Sequence, residues 1–250
     1  MRSAVACLLL AASLAACAAP QRGPSYSRGQ VERALANTAG AAQPSRIVSA
    51  EIAFARAARE DGQWTAFREF AAPGAIIHGA SGASDANAWL AGRQDPPQAV
   101  AWRPRAIWMS CDGALAISEG RYRDPDGTVG TFVTLWQRQS DGEYRWLYDA
   151  GTPDDPQPPP PPPEERLSDD AITVTAIDAV QGLVADCSRG DATADAQQAT
   201  AGNDAAGWTS PDGTLAFRWR QAAGQRHLSA QWLYEGRWQT ALEHSWPVAR

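Results

Sequence analysis

Lysine is absent from this 250-residue chain, and all 22 basic side chains are arginine. Without a side-chain amine, neither a Schiff-base site nor a Walker-type phosphate loop can be built. The cations are also outnumbered by 28 acids, for a net charge of −6. That excludes a broad basic face for nucleic acid. Metal-ligating types are scarce: four cysteines and three histidines (His78, His227, His244), with no CxxC or HExxH spacing. They point to no metal site, and no motif calls for a cofactor. A Gly-x-Ser-x-Gly nucleophile motif is missing as well. The longest apolar run, Ala4 to Ala16 with Ser13 inside it, is too short for a membrane-spanning helix of about 20 residues.

Tryptophan is what the chain has in excess, with 11 residues against five Tyr and five Phe. A hydrophobic content of 44% excludes a disordered chain. Eighteen prolines and 21 glycines indicate many turns and at least one linker.

Arg2, the apolar run and the small residues after it read as a secretory signal. The run closes Leu14-Ala15-Ala16-Cys17, which resembles the lipobox of bacterial lipoproteins at all four positions. The resemblance implies a signal peptide over 1–16, lipidation of the Cys17 thiol, and a membrane as the first partner. Ala18, where Asp would favour the inner membrane, implies the periplasmic face of the outer membrane. In an oxidising envelope Cys111 and Cys187 are a disulfide candidate, with two separate buried thiols as the alternative.

Residues 17–44 read as a tether, with a short helix around Gln30–Asn37. Ser45 offers an N-cap to a helix reaching Glu60, whose apolar stripe is Ile47, Phe54 and Ala58 with Ile52 and Ala55 beside them. A second helix carries Trp64, Phe67 and Phe70. Ala75–His78 reads as a strand, and Asp85 caps a third helix with Trp89 and Leu90. Strands follow at about 100–110, 114–123, 128–139 and 143–150, joined by Asp-Gly turns that supply the positive φ of tight hairpins. Residues 153–166, with six prolines at 158–163, form a semi-rigid spacer. From 167 to 250 the pattern is all-β, with a strand at Ile172–Ile177, a loop over 188–207, and alternation through Leu215, Phe217 and Trp219, then Leu228 to Tyr234, then Trp238 to Leu242. Pro125-Asp126-Gly127-Thr128 recurs at 211–214 and Trp146-Leu147-Tyr148 at 232–234, both 86 residues on. Shared hairpin grammar and a duplicated β unit both account for this.

Several of these segments, Ala53 to Ala58, Trp64 to Ala71, Trp108 to Gly113, Thr134 to Gln139 and Asp141 to Gly151, together resemble the NTF2-like (SnoaL-like) superfamily over about 45–152. The resemblance implies an α+β fold: a cone of curved antiparallel sheet wrapped on three helices around a pocket, here followed by the small antiparallel β domain at 167–250. It also implies a possible homodimer through the sheet. Superfamily isomerases place an acidic base at the end of the strand after the second helix. Here that strand ends His78-Gly79, and Gly74 stands where many relatives have Asp.

The ligand-pocket candidates are therefore Trp64, His78, Trp108, Tyr122, Trp136 and Asp149. The expected function is non-catalytic binding of a small apolar ligand or an envelope partner, with no nucleic acid. The alternatives are a general acid–base enzyme with His78 and Asp149 as the working pair, and a glycan- or protein-binding C-terminal domain presenting Trp208, Trp219 or Trp246.

Overall fold

The structure, a computed structural model, describes residues 42–159, 179–187 and 206–248. Helix α1 (Pro44–Glu60) starts on Pro44, where a missing N–H forfeits no helical bond. Ser45 thus lies inside the helix, and Gln43 holds the cap position without a side-chain bond. The buried stripe is Ile47, Glu51, Phe54, Ala55 and Ala58. It is rotated from the expected one: Ile52 is 62% exposed, and the acid Glu51 takes an inward place.

Helix α2 (Gln63–Phe70) runs directly into β1 (Ala71–Gly79), followed by β2 (Gly82–Asp85) and α3 (Ala86–Leu90). Asp85 caps α3 as expected, accepting from the Ala88 N–H at 2.9 Å. Four long strands follow: β3 (Ala101–Met109), β4 (Leu115–Arg123), β5 (Val129–Arg138) and β6 (Tyr144–Pro153). They lie close to their expected positions, with Gly113, Gly127 and Gly142 of the connecting turns at positive φ. The remaining strands are β7 (Gln181–Val184), β8 (Ala206–Thr209), β9 (Leu215–Ala222), β10 (Gln225–Tyr234) and β11 (Arg237–Pro247).

Two sheets result. The first has seven strands in the order β2-β1-β6-β5-β4-β3-β7, and the second four in the order β11-β10-β9-β8. The first is mixed, because β1 pairs with β6, and β7 with β3, in parallel. The second is antiparallel throughout.

This architecture corrects the expected α+β cone. The protein is mostly β, with a large mixed sheet and helices of only 17, eight and five residues among the described segments. Residues 181–184, expected within the all-β part, extend the first sheet instead. β5 shows the physical reason. Val133, Thr134, Leu135 and Trp136 are consecutively buried, so both faces of this strand are covered. Val133 and Leu135 share a core with Leu215, Phe217, Leu228 and Trp246 of the second sheet. Trp136 packs with Ile47, Phe54 and Leu90 of the helices. A sheet covered on both sides loses the apolar-in, polar-out contrast that marks one solvated face.

Cys111 and Cys187 form a disulfide, with Cα atoms 5.1 Å apart, tying the β3–β4 turn to the segment after β7. Beside it lies a recurrence 100 residues apart. Ser110-Cys111-Asp112-Gly113-Ala114-Leu115-Ala116 is matched by Ser210-Pro211-Asp212-Gly213-Thr214-Leu215-Ala216. Each serine hydroxyl donates to its aspartate Oδ1 at 2.6 Å and accepts the leucine N–H. The signal segment, Cys17, the tether and its short helix, the spacer from residue 160, the Ile172–Ile177 strand and most of the 188–207 loop lie outside the described residues.

Candidate functional site

Between the helices and the first sheet lies a cavity of about 300 Å³. Its walls are aromatic: Phe54 from α1, Trp64 and Phe67 from α2, Trp89 from α3, Trp102 from β3, Tyr122 from β4 and Phe132 from β5. The rings support one another edge to face, with centroids 4.8 Å apart for Phe54–Phe67 and Phe54–Trp102 and 5.1 Å for Trp64–Trp89, the arrangement that ring quadrupoles favour. Gln63, Asp124, Thr134 and Asp149 supply polar side chains. Gln63 is held by its Oε1, which accepts the Val100 N–H at 3.0 Å.

Asp149 lies directly across from Thr134 in the β5–β6 ladder and accepts its hydroxyl at 2.7 Å. Burial pushes its pKa up to about 6, against the opposing effect of the Thr134 bond. Glu51 is deeper, only 1% exposed. It accepts from the Ser118 hydroxyl and from the indole N–H groups of Trp102 at 3.0 Å and Trp136 at 3.1 Å. Burial pushes it up to about 7; the three hydrogen bonds oppose this and the charge of Asp149 adds to it. Asp149 on the cavity and the more deeply buried Glu51 thus both keep their protons to higher pH than ordinary carboxyls.

His78 is fully buried but is directed elsewhere. In the β1–β6 register Ile77 stands beside Asp149 and His78 beside Ala150. Side chains alternate between faces, so Asp149 points toward the helices and the imidazole toward the second sheet. There His78 Nδ1 lies 2.6 Å from the Tyr148 hydroxyl and Nε2 lies 3.2 Å from Gln221 Oε1. Gln221 Oε1 can only accept, so Nε2 carries the proton and Nδ1 accepts from Tyr148. Burial lowers the His78 pKa to about 4, with the Arg226 charge contributing and the Gln221 bond opposing.

Of the expected pocket residues, Trp64, Tyr122 and Asp149 place side chains on the cavity. His78 forms part of the wall, but its ring serves the intersheet contact. Trp108 is buried in the core between the sheets, and Trp136 is buried beside Glu51. His78 and Asp149 do not converge. In β4 the inward set is Ser118, Gly120 and Tyr122; Glu119 and Arg121 face the other way, toward His244 at 2.9 Å and Asp154. Trp208 and Trp219 are half-buried against the intersheet core and Trp246 is buried within it, so these three do not form an exposed patch.

Among the residues missed are Glu51, Asp124, Thr134, Trp89 and Trp102, with the rings Phe54, Phe67 and Phe132 and the amide of Gln63. Glu51 was signalled by an acid four residues after Ile47 and four before Ala55, in line with an apolar stripe. Among the described residues no cluster of three or more His, Cys, Asp or Glu is placed to hold a metal, and no helix is long and apolar enough to cross a membrane. No family model matches the sequence, and comparison with curated proteins finds no match.

Proposed function

We propose that the chain binds a small, largely apolar ligand in the aromatic pocket, and that a lipid on Cys17 holds it at the periplasmic face of a bacterial outer membrane. One observation carries the binding reading: seven aromatic side chains enclose a cavity of about 300 Å³ with few polar groups, the composition of a small-molecule site. The Leu14–Cys17 motif supports the anchor, and the disulfide fits an oxidising compartment. Three of the wall residues are tryptophans, so a neutral apolar probe such as N-phenyl-1-naphthylamine should quench indole fluorescence saturably. Thr134→Phe, which places a ring in the cavity, should abolish the quenching with an unchanged circular dichroism spectrum. Non-saturable quenching in both proteins would remove the reading. For the anchor, incorporation of a labelled palmitate analogue in cells should be lost in Cys17→Ser.

A second reading, general acid–base chemistry on such a ligand, is supported by Glu51 and Asp149 being held near neutral pH. Its test is Asp149→Asn, which should stop any turnover found by product analysis. Undiminished turnover would exclude it.

A further inference from the structure

We propose that the pocket's ligand is an organic cation, a small ammonium compound with apolar substituents. This rests on the ligand-binding reading above and names the class of ligand.

Trp64, Trp89, Trp102 and Tyr122 line one cavity, and an aromatic ring attracts a cation lying over its face. The chain itself shows this chemistry at the same rings. The Arg93 guanidinium lies 3.5 Å from the Trp89 ring centroid and 5.9 Å from that of Trp64, steadied by its Nε bond to the Trp89 carbonyl at 2.8 Å.

Asp124 and Asp149 are the acids of the cavity lining, and among the described residues no arginine belongs to it. Asp149 has the Thr134 bond, the charge interaction with Glu51 from α1 and Ile77 beside it on β1; the cations acting on the wall are Arg93 over Trp89 and Trp64, and Arg121 and Arg226, whose charges act on Tyr122. His78 is turned to the opposite sheet face and is neutral above about pH 4. Arg226, also on that far side, spends its two terminal nitrogens on the carbonyls of His78 and Gly151.

A carboxylate has about four acceptor positions, and among the described residues the one side chain that donates to Asp149 is Thr134. A neutral apolar ligand would strip water from this charge without replacing it. An anion would meet two carboxylates. A cation supplies what the pocket lacks. Its binding should weaken as pH falls through about 6, where Asp149 takes up a proton.

The test compares benzyltrimethylammonium with its uncharged carbon isostere, 2,2-dimethylpropylbenzene, on the full chain at pH 7.5 by indole fluorescence and calorimetry. The cation should bind at least about tenfold more tightly. Asp149→Asn should weaken the cation about tenfold without weakening the isostere. Equal or tighter binding of the isostere would overturn the cation proposal and leave the pocket reading standing. Cation binding insensitive to Asp149→Asn would also overturn it. If neither compound nor the naphthylamine probe binds, the pocket reading fails with it.

Discussion

Asp112 and Asp212 each accept a hydrogen bond from the other's backbone: the Asp112 N–H donates to Asp212 Oδ2 at 2.7 Å, and the Asp212 N–H to Asp112 Oδ2 at 3.2 Å. Their other oxygens close their own turns. The β3–β4 turn and the β8–β9 turn thus clasp through a local pseudo-twofold arrangement. Where the two turns differ, the differences fit. The Cys111 N–H donates to Thr214 Oγ1 at 3.0 Å. At the related position Pro211 has no N–H to give and Ala114 no hydroxyl to receive it.

A coupled clasp gives non-additive energetics. Asp112→Ala and Asp212→Ala each remove one acceptor for the turn and one for the partner, and each should lower stability by about 1–3 kcal/mol. The double variant should cost less than the sum of the two, by about 1 kcal/mol, because each single change removes one of the two reciprocal bonds and, by opening its own turn, already weakens the other. Urea unfolding of the four proteins measures this. Strict additivity would show that the two turns merely touch.

The Cys111–Cys187 disulfide closes a sequence separation of 76 residues. Losing a cross-link of that span should lower stability by about 2–5 kcal/mol. The local effect is more diagnostic. β7 has four residues and, among the described residues, pairs with β3 alone, so the disulfide just beyond its end is its nearest cross-link. In the Cys111→Ser, Cys187→Ser protein, amide exchange should accelerate most at Leu183 and Val184. Uniform acceleration across the sheet would mean that the bond acts only on global stability.

The succession of strands along the chain was legible because each Asp-Gly turn separates two runs rich in β-forming residues, and the structure places β3 to β6 where those runs lie. What the runs pack against was not legible. The sequence does not encode that β1 pairs in parallel with β6, and only that register sends His78 and Asp149 to opposite faces. Tryptophan position was equally silent: Trp102 reaches the cavity and Trp108, six residues on, reaches the intersheet core, with a register shift between Pro104 and Ala106 separating them. The 86-residue recurrence matched a turn tetrapeptide and a strand triplet, Trp146–Tyr148 in β6 and Trp232–Tyr234 in β10, that belong to unlike hairpins. The 100-residue one is shorter, yet its residues make the same hydrogen bonds in both copies.

Glu51 gives the fold an unusual pH dependence. Its folded pKa is raised to about 7 from 4.5, so its contribution is fully present below about pH 4.5 and is lost as pH rises toward 7. Asp149, raised to about 6 from 3.8, acts in the same sense over a lower window. Glu51→Gln cannot ionise, and its single carbonyl oxygen serves fewer of the three donors, so it should be less stable than the parent at pH 4.5. Between pH 4.5 and 7.5 that deficit should shrink by up to about 3 kcal/mol. Chemical denaturation at a series of pH values reads the slope. A difference independent of pH would show Glu51 to be ionised throughout.

His78 carries the opposite sign. Its folded pKa is lowered to about 4 from 6.5, so the folded state resists a proton that the unfolded chain accepts. Stability from this residue is present above about pH 6.5 and is lost as pH falls toward 4. The Tyr148 and Gln221 contacts hold one neutral tautomer, with the proton on Nε2 and a bonded acceptor at Nδ1. Nitrogen-detected NMR should therefore show one His78 ring unchanged from pH 8 to 5. In Gln221→Ala the Nε2 proton loses its acceptor, and Tyr148→Phe leaves Nδ1 without its donor. The second change should raise the His78 pKa, because a hydrogen bond to the neutral ring is removed. Titration of the parent His78 near 6.5 would mean that the intersheet contact opens to water, and the packing of β9 over β1 would have to be looser than these distances require.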